Sequence, residues 1–228
     1  MINVLVACEE SQRVAKAFEL MGANAFSCDI IECSGERPDI HILGDATKIL
    51  TPKEYADFNG DIYHEIQFKT MDGKVHHIPK WDVLIAHPPC TYFSRAGARW
   101  YYIDDKINKE RIAKMEEMRK LFLTFLNADI EHIAVENPIP MKKCNLPPHT
   151  QQIQPYEFGD KWTKATRLWL KNLPPLKPTN IVVPYPINFT QESTGSSKIR
   201  SKTFQGIANA MAYQWYDFIS KEGETNEY

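Results

Sequence analysis

The sequence has no Cys-x-x-Cys pair, and its cysteines are odd in number: Cys8, Cys28, Cys33, Cys90 and Cys144. This argues against a disulfide framework and for reduced thiols in a cytoplasmic compartment. No apolar run approaches the ~20 residues of a membrane span, so no membrane partner is expected. The opening run Met1-Ile2-Asn3-Val4-Leu5-Val6-Ala7 is too short for a signal peptide. Internal repeats and low-complexity tracts are missing. Three histidines, His64, His76 and His77, fall close together, but no cysteine or acid stands at ligand spacing beside them, so no metal is expected. There is little net charge, −2 in all, but it is unevenly spread. Between Lys161 and Lys202 stand Lys161, Lys164, Arg167, Lys171, Lys177, Lys198, Arg200 and Lys202 against Glu192 alone, a net +7. A basic segment on an otherwise acidic chain can guide a polyanion to one face, or can simply be a solvated surface.

With 228 residues, 43% of them hydrophobic, the chain reads as one domain, residues 1–228, with a sizeable core. Asn3 to Ala7 is a buried strand by pattern. Ser11 to Met21 carries apolar residues at helical spacing and stops at Gly22. Further strands are expected at Ala25 to Cys28, Ile40 to Leu43, Trp81 to Ala86, Ile133 to Val135 and Thr166 to Leu170. Helices are expected at Ile107 to Leu126 and Thr203 to Ser220, with a frayed tail from Lys221 to Tyr228. Strands alternating with helices imply a mostly parallel α/β sheet with helices on both faces. Ligands of such a sheet sit outside the carboxyl ends of its strands. Residues 61–80 alternate around Met71-Asp72-Gly73 and read as an inserted hairpin. Residues 138–200 are proline-rich, basic and irregular.

Two strand ends carry chemistry. Ala86-His87-Pro88-Pro89-Cys90-Thr91-Tyr92-Phe93-Ser94 places a cysteine after an apolar strand and two prolines. Val135-Glu136-Asn137-Pro138 ends a second strand in a carboxylate. A thiolate that adds to a ring carbon, with an acid that protonates the ring, is what alkylation of carbon 5 of a pyrimidine needs. Carbon 5 is not nucleophilic until something adds at carbon 6, and cysteine suits that reversible addition. Taken singly, Cys90 also fits a buried structural thiol, Glu136 a surface ion pair, and Asp29 and Asp45 ordinary strand-end caps. Arg167 also fits a solvated cation.

In their order along the chain these residues resemble the DNA (cytosine-5) methyltransferases. Pro89-Cys90 with Phe93-Ser94 is similar to that family's Pro-Cys nucleophile motif. Glu136-Asn137 is similar to its Glu-Asn-Val motif, with Pro138 in place of Val. Thr166-Arg167 resembles its Arg-x-Arg strand, and Ala208-Asn209-Ala210-Met211 resembles its late Gly-Asn-Ser-Val motif. The family's glycine-rich first turn is replaced by Ala7-Cys8-Glu9-Glu10-Ser11, which has no glycine. The resemblance implies a Rossmann-like fold that uses S-adenosyl-L-methionine. Cys90, Glu136 and Arg167 would be catalytic. Ala7, Glu9, Ser11, Asp29, Ile30, Asp45, Ala46, Pro89 and Asn209 would lie around the cofactor. Ser94, Arg95, Arg99 and Lys164 would meet duplex DNA whose target cytosine is flipped out, with Arg95 to Arg99 closing over the base.

The resemblance leaves Asn172 to Ile199 as the place of a full target-recognition region. Such a short stretch fits narrow sequence readout, readout by a second subunit of an oligomer, or action on RNA or a free cytosine nucleotide. Two other classes stay open. Pro88-Pro89 also resembles the motif of amino-group methyltransferases, although His87 and Cys90 stand where that chemistry needs an acid or amide and an aromatic. A noncatalytic nucleic-acid-binding relative is the other.

Overall fold

The computed structural model describes residues 1–103, 106–186, 199 and 201–225, with the side chains of Arg95, Ala96, Glu224 and Thr225 left out. In chain order the first elements are β1 (Asn3–Ala7), α1 (Arg13–Leu20), β2 (Asn24–Asp29), β3 (His41–Leu43), β4 (Lys53–Ala56), β5 (Ile62–Lys69), β6 (Val75–Ile78) and β7 (Val83–Ala86). There follow β8 (Tyr102–Ile103), β9 (Lys106–Ile107), α2 (Lys109–Leu126), β10 (His132–Pro138), β11 (Gln151–Ile153), β12 (Thr166–Lys171) and α3 (Gln205–Thr225).

Seven strands make one sheet in the order β11-β12-β10-β7-β1-β2-β3. The five from β10 to β3 are parallel, and β12 runs antiparallel to both β10 and β11. The two central strands, Asn-Val-Leu-Val-Ala and Val-Leu-Ile-Ala, are buried at every position. Such near-continuous apolar runs are what a strand covered on both faces requires.

The β1–α1–β2 and β7–α2–β10 crossovers leave the centre in opposite directions. Each is right-handed by the usual rule for parallel connections, so α1 and α2 lie on opposite faces. The helix α1 buries Val14, Ala15, Ala17 and Phe18 against the sheet, and α3 packs beside it. The strand order reverses between β1 and β7. A crevice opens at such a switch point beyond the carboxyl ends of the strands, and the candidate site lies there.

The glycine-free turn between β1 and α1 bends without glycine. Cys8 and Gln12 both take left-handed backbone angles, φ 59° and 60°. That conformation costs roughly 1–2 kcal/mol for a residue with a Cβ. The wholly buried Gln12 amide offsets the cost. It donates to the Arg37 carbonyl at 2.7 Å and to Ser27 Oγ at 3.3 Å, and it accepts from the Arg37 N–H at 3.0 Å.

Residues 61–80 form the β5–β6 hairpin, turning at Gly73 with φ 93°. Its Phe68 packs on Phe26 of β2 and on Trp81, ring centroids 4.8 and 5.4 Å apart. A third strand, β4, pairs with β5 and was not expected from the sequence. It is almost wholly exposed, so it has no apolar alternation to read. The three-residue β11 lies inside the stretch expected to be irregular. The helix α2 starts later than expected, because Asn108 caps it by accepting the Arg111 N–H at 3.1 Å and Ile107 belongs to β9. The helix α3 runs past Ser220 to Thr225, so the tail expected to fray from Lys221 is helical as far as Thr225; residues 226–228 lie outside the described residues. No helix among the described residues is long and apolar enough to cross a membrane.

Candidate active site at the strand ends

The β7 strand ends because its sequence forbids continuation. The His87 N–H makes the last ladder bond, to the Ala7 carbonyl at 2.9 Å. Pro88 and Pro89 have no N–H to offer, so the chain leaves the sheet there. The Pro88 carbonyl, buried at the sheet edge, is satisfied by Asn137 Nδ2 at 3.1 Å. The Cys90 carbonyl then accepts the N–H groups of Phe93 and Ser94 at 3.0 and 2.9 Å, closing a turn. Phe93, fully buried edge-on to Phe122 of α2, anchors that turn. The Cys90 side chain is half-buried and is in no disulfide. Three of the other thiols are held protonated by burial, which pushes Cys8 and Cys144 up and Cys28 up to about 12.

Glu136 stands one residue beyond the Val135–Ala86 pair of β10 and β7. The two strand ends carrying Cys90 and Glu136 are therefore neighbours. The Glu136 side chain is 15% exposed, and its Oε2 accepts from His87 Nδ1 at 3.1 Å. Burial alone would raise its pKa. The His87 hydrogen bond and the charges of Lys164 and His87 outweigh burial and hold the carboxyl below its ordinary value.

The register of β10 and β12 separates Glu136 from Arg167. Arg167 lies opposite Asn137, and Glu136 lies opposite Leu168. Residues paired directly across an antiparallel ladder share a face, so Arg167 points to the other side of the sheet from Glu136. It feels its way instead to His149, whose pKa burial and the Arg167 charge both lower. The cation that acts on Glu136 is Lys164. Arg167 and Glu136, both expected to be catalytic, thus lie on opposite faces of the sheet. The sequence offered both cations, and only the register tells which face Arg167 serves. The Nε of Arg167 is buried without a partner, as are Nε2 of His87 and Oδ1 of Asn137. Buried polar atoms are rarely left unbonded, and here three lie on adjoining strand ends.

The acids expected on the cofactor side gather at the ends of β1, β2 and β3. Asp29 closes β2, and burial raises its carboxyl against the N–H groups of Ile31 and Ile30 that lower it. Ile30 itself is exposed beside it. Asp45 is exposed and accepts from the Thr47 N–H and hydroxyl at 3.0 and 2.7 Å, with Ala46 buried behind. Ala7 and Ser11 are buried in the turn, and Pro89 is exposed. Glu9 has another task. It is buried, and its two oxygens accept the N–H groups of Val14 and Ala15 at 2.7 and 3.2 Å, so it caps α1. Its neighbour Glu10, passed over in the sequence reading, keeps a buried Oε2 with no partner, while its Oε1 lies 3.8 Å from Lys202. A Glu-Glu pair gives no sign of which carboxylate turns inward to the helix and which to the crevice.

Beyond Cys90, Ser94 precedes a 3-10 turn that spans Arg95–Tyr101. The guanidinium of Arg111 fixes that turn, donating to the Thr91 carbonyl at 3.0 Å and lying over the Tyr92 and Tyr101 rings. A Cβ at Gly97 would collide with it. Arg99 is exposed and lies 4.8 Å over the exposed Trp100 ring. Asn209, expected near the cofactor, is exposed on α3 and accepts from Gln205 at 2.8 Å. The basic stretch is partly spent inside the protein. Lys171 donates to the carbonyls of Ala128 and Ile130, and Lys202 donates to Ser34. Lys198 and Arg200 lie outside the described residues. No three metal-capable side chains come together among the described residues. A shallow pocket of about 370 Å³ lies at the opposite end of β10, lined by His132, Phe218 and Glu222, away from this chemistry.

No protein-family model matches the chain, and no curated protein matches its sequence. Among solved structures, it is similar to a proposed DNA modification methyltransferase encoded within an E. coli prophage, at 12% identity and a TM-score of 0.41. The match covers 80% of this chain and 52% of that one, so the chain spans about half that protein's length.

Proposed function

We propose that the protein transfers a methyl group from S-adenosyl-L-methionine to carbon 5 of cytosine in DNA. The observation that carries the reading is the pairing of two adjacent strand ends. One presents the half-buried Cys90, and the other presents a carboxylate kept ionised by His87 and Lys164. The amino-group alternative has less support, since His87 is committed to Glu136 rather than to a substrate amine.

The residues present fit the cofactor. A sulfonium with ribose hydroxyls and an amino group offers cations and donors. Glu10, Asp29 and Asp45 offer acceptors, and the bare buried Oε2 of Glu10 is the clearest. When bound, the cofactor supplies an electrophilic methyl carbon. The chain does the rest. Cys90 adds to carbon 6 of the ring, Glu136 holds ring nitrogen 3, and Lys164 places positive charge beside that carboxylate. Exposed Trp100 and Tyr102, with Arg99 lying on Trp100, offer the aromatic and cationic surface that nucleic-acid strands stack against.

Intact mass spectrometry after incubation with 5-fluorocytosine DNA and S-adenosylmethionine tests the reading. Fluorine at carbon 5 cannot leave as a proton, so the adduct is trapped. A stable protein–DNA species that maps to Cys90 is expected; its absence, with methyl found on an exocyclic amine, would overturn the reading.

The cofactor assignment makes its own prediction by calorimetry. Glu10→Gln is expected to weaken S-adenosylmethionine binding roughly 10- to 100-fold, the value of a charge-assisted hydrogen bond. Glu9→Ala is expected to lower thermal stability by about 1 kcal/mol through the lost cap, with a much smaller effect on affinity. Equal affinities in wild type and Glu10→Gln would remove Glu10 from the pocket.

A further inference from the structure

His87 ends the central strand β7, with one carboxylate on each side. Glu136 follows β10, its Oε2 3.1 Å from His87 Nδ1. Glu9 follows β1, its oxygens turned to the α1 N–H groups; burial raises its carboxyl, and the His87 charge works against that rise. Lys164, before β12, is a further charge that acts on Glu136, and Cys90 lies on the same loop as His87. Arg167 faces away, by register. His87 is 7% exposed in its side chain, and its Nε2 meets no partner.

An ionised carboxylate only accepts hydrogen bonds, so His87 Nδ1 must be the donor of that pair. An ionised Glu136 also has no proton to give to a ring. The addition step needs one. When Cys90 Sγ forms its bond to carbon 6, the ring π electrons shift and a lone pair develops on nitrogen 3. That nitrogen must take a proton for a neutral enamine to form.

We propose that His87 is a positioning residue that stores this proton, and that Glu136 passes it on. This inference rests on the carbon 5 reading above. The Nδ1 proton of His87 moves to Oε2 of Glu136, and the carboxylic acid so formed gives a proton to nitrogen 3. The thiolate charge and the imidazolium charge are thereby cancelled together, and Glu136 is again a carboxylate. Lys164 favours the ionised Glu136 at both ends of the step. His87 never touches the base in this scheme; it acts through Glu136.

The addition can be followed without any cofactor. A cytosine with Cys90 on carbon 6 has a nucleophilic carbon 5 that exchanges its hydrogen with water. Release of tritium from DNA carrying [5-³H]cytosine therefore reports the step. In the wild type the release rate is expected to fall as pH rises through the range in which an imidazole loses its proton. His87→Asn is expected to exchange at least about 10-fold more slowly, with that falling limb gone and DNA affinity unchanged. His87→Gln serves the same purpose should the asparagine variant fold poorly. A purely structural role would lower the rate and leave the limb in place, and that result would overturn the inference. So would an unchanged rate in a folded variant. If the wild type releases no tritium, or Cys90→Ala releases it as fast, the carbon 5 reading itself is wrong and this inference fails with it.

Discussion

Cys90→Ala is expected to leave the protein folded and to reduce incorporation of labelled methyl into DNA to background. The side chain is half-buried, and the turn it sits in is closed by its backbone carbonyl, which alanine keeps. Truncation there removes little packing, so the melting temperature should shift by no more than a degree or two. The chemistry has no substitute. Cys8, Cys28 and Cys144 are held as thiols by burial and cannot supply a thiolate near neutral pH. Cys90→Ser should fail almost as completely, because a serine hydroxyl is not ionised at neutral pH. Scintillation counting of methylated DNA, paired with calorimetry for the cofactor, separates lost chemistry from lost binding. Substantial methyl transfer by Cys90→Ala would exclude carbon 5 addition and return the reaction to the amino-group class.

The central sheet was legible because its strands are buried on both faces. Val4, Leu5 and Val6 in β1, and Val83, Leu84 and Ile85 in β7, form unbroken apolar runs whose ends mark the crevice. The place of Cys90 and Glu136 at those ends was legible for the same reason, since each follows such a run. What the sequence hid depends on pairing and on single rotamers. Lys164 and Arg167 look alike as cations near a strand, yet Arg167 pairs with Asn137 across the ladder while the charge of Lys164, before the strand, acts on Glu136. Glu9 and Glu10 are adjacent and identical, yet one caps a helix and the other keeps a bare oxygen. His87 drew no role from sequence because its partner lies 49 residues away on another strand. The glycine-free turn looked like a defect in the cofactor site. In the structure Cys8 and Gln12 carry left-handed bends there, secured by the Gln12 amide.

Gly206→Ala is expected to be strongly destabilising. Gly206 lies in the first turn of α3, where its N–H donates to Asp160 Oδ2 at 3.0 Å. A Cβ there would collide with the Phe158 carbonyl, a backbone group held in place by its own turn. A flexible side chain would swing aside; a backbone carbonyl cannot, so α3 itself must move. That helix buries Ile207, Ala208, Met211 and Trp215, and Trp215 Nε1 donates to the Pro174 carbonyl at 3.0 Å. Overpacking of this kind costs on the order of 3 kcal/mol or more. For a chain of this size that is a drop of roughly 6–12 °C in melting temperature. The effect should also reach the cofactor rim. Just before α3, the Thr203 carbonyl accepts from Arg13 at 2.7 Å, and Lys202 reaches Ser34 and Glu10. A displaced α3 pulls on these contacts, so the fraction that stays folded should bind S-adenosylmethionine more weakly. Gly223→Ala, in the last turns of the same helix, is the control. Nothing lies within 4 Å of a Cβ there, and alanine's better helix propensity should raise stability by about 0.5–1 kcal/mol. Differential scanning calorimetry of both variants decides the matter. A Gly206→Ala protein that melts with the wild type would mean that α3 is not seated on the Phe158 carbonyl, and the link from this helix to the cofactor side would go with it.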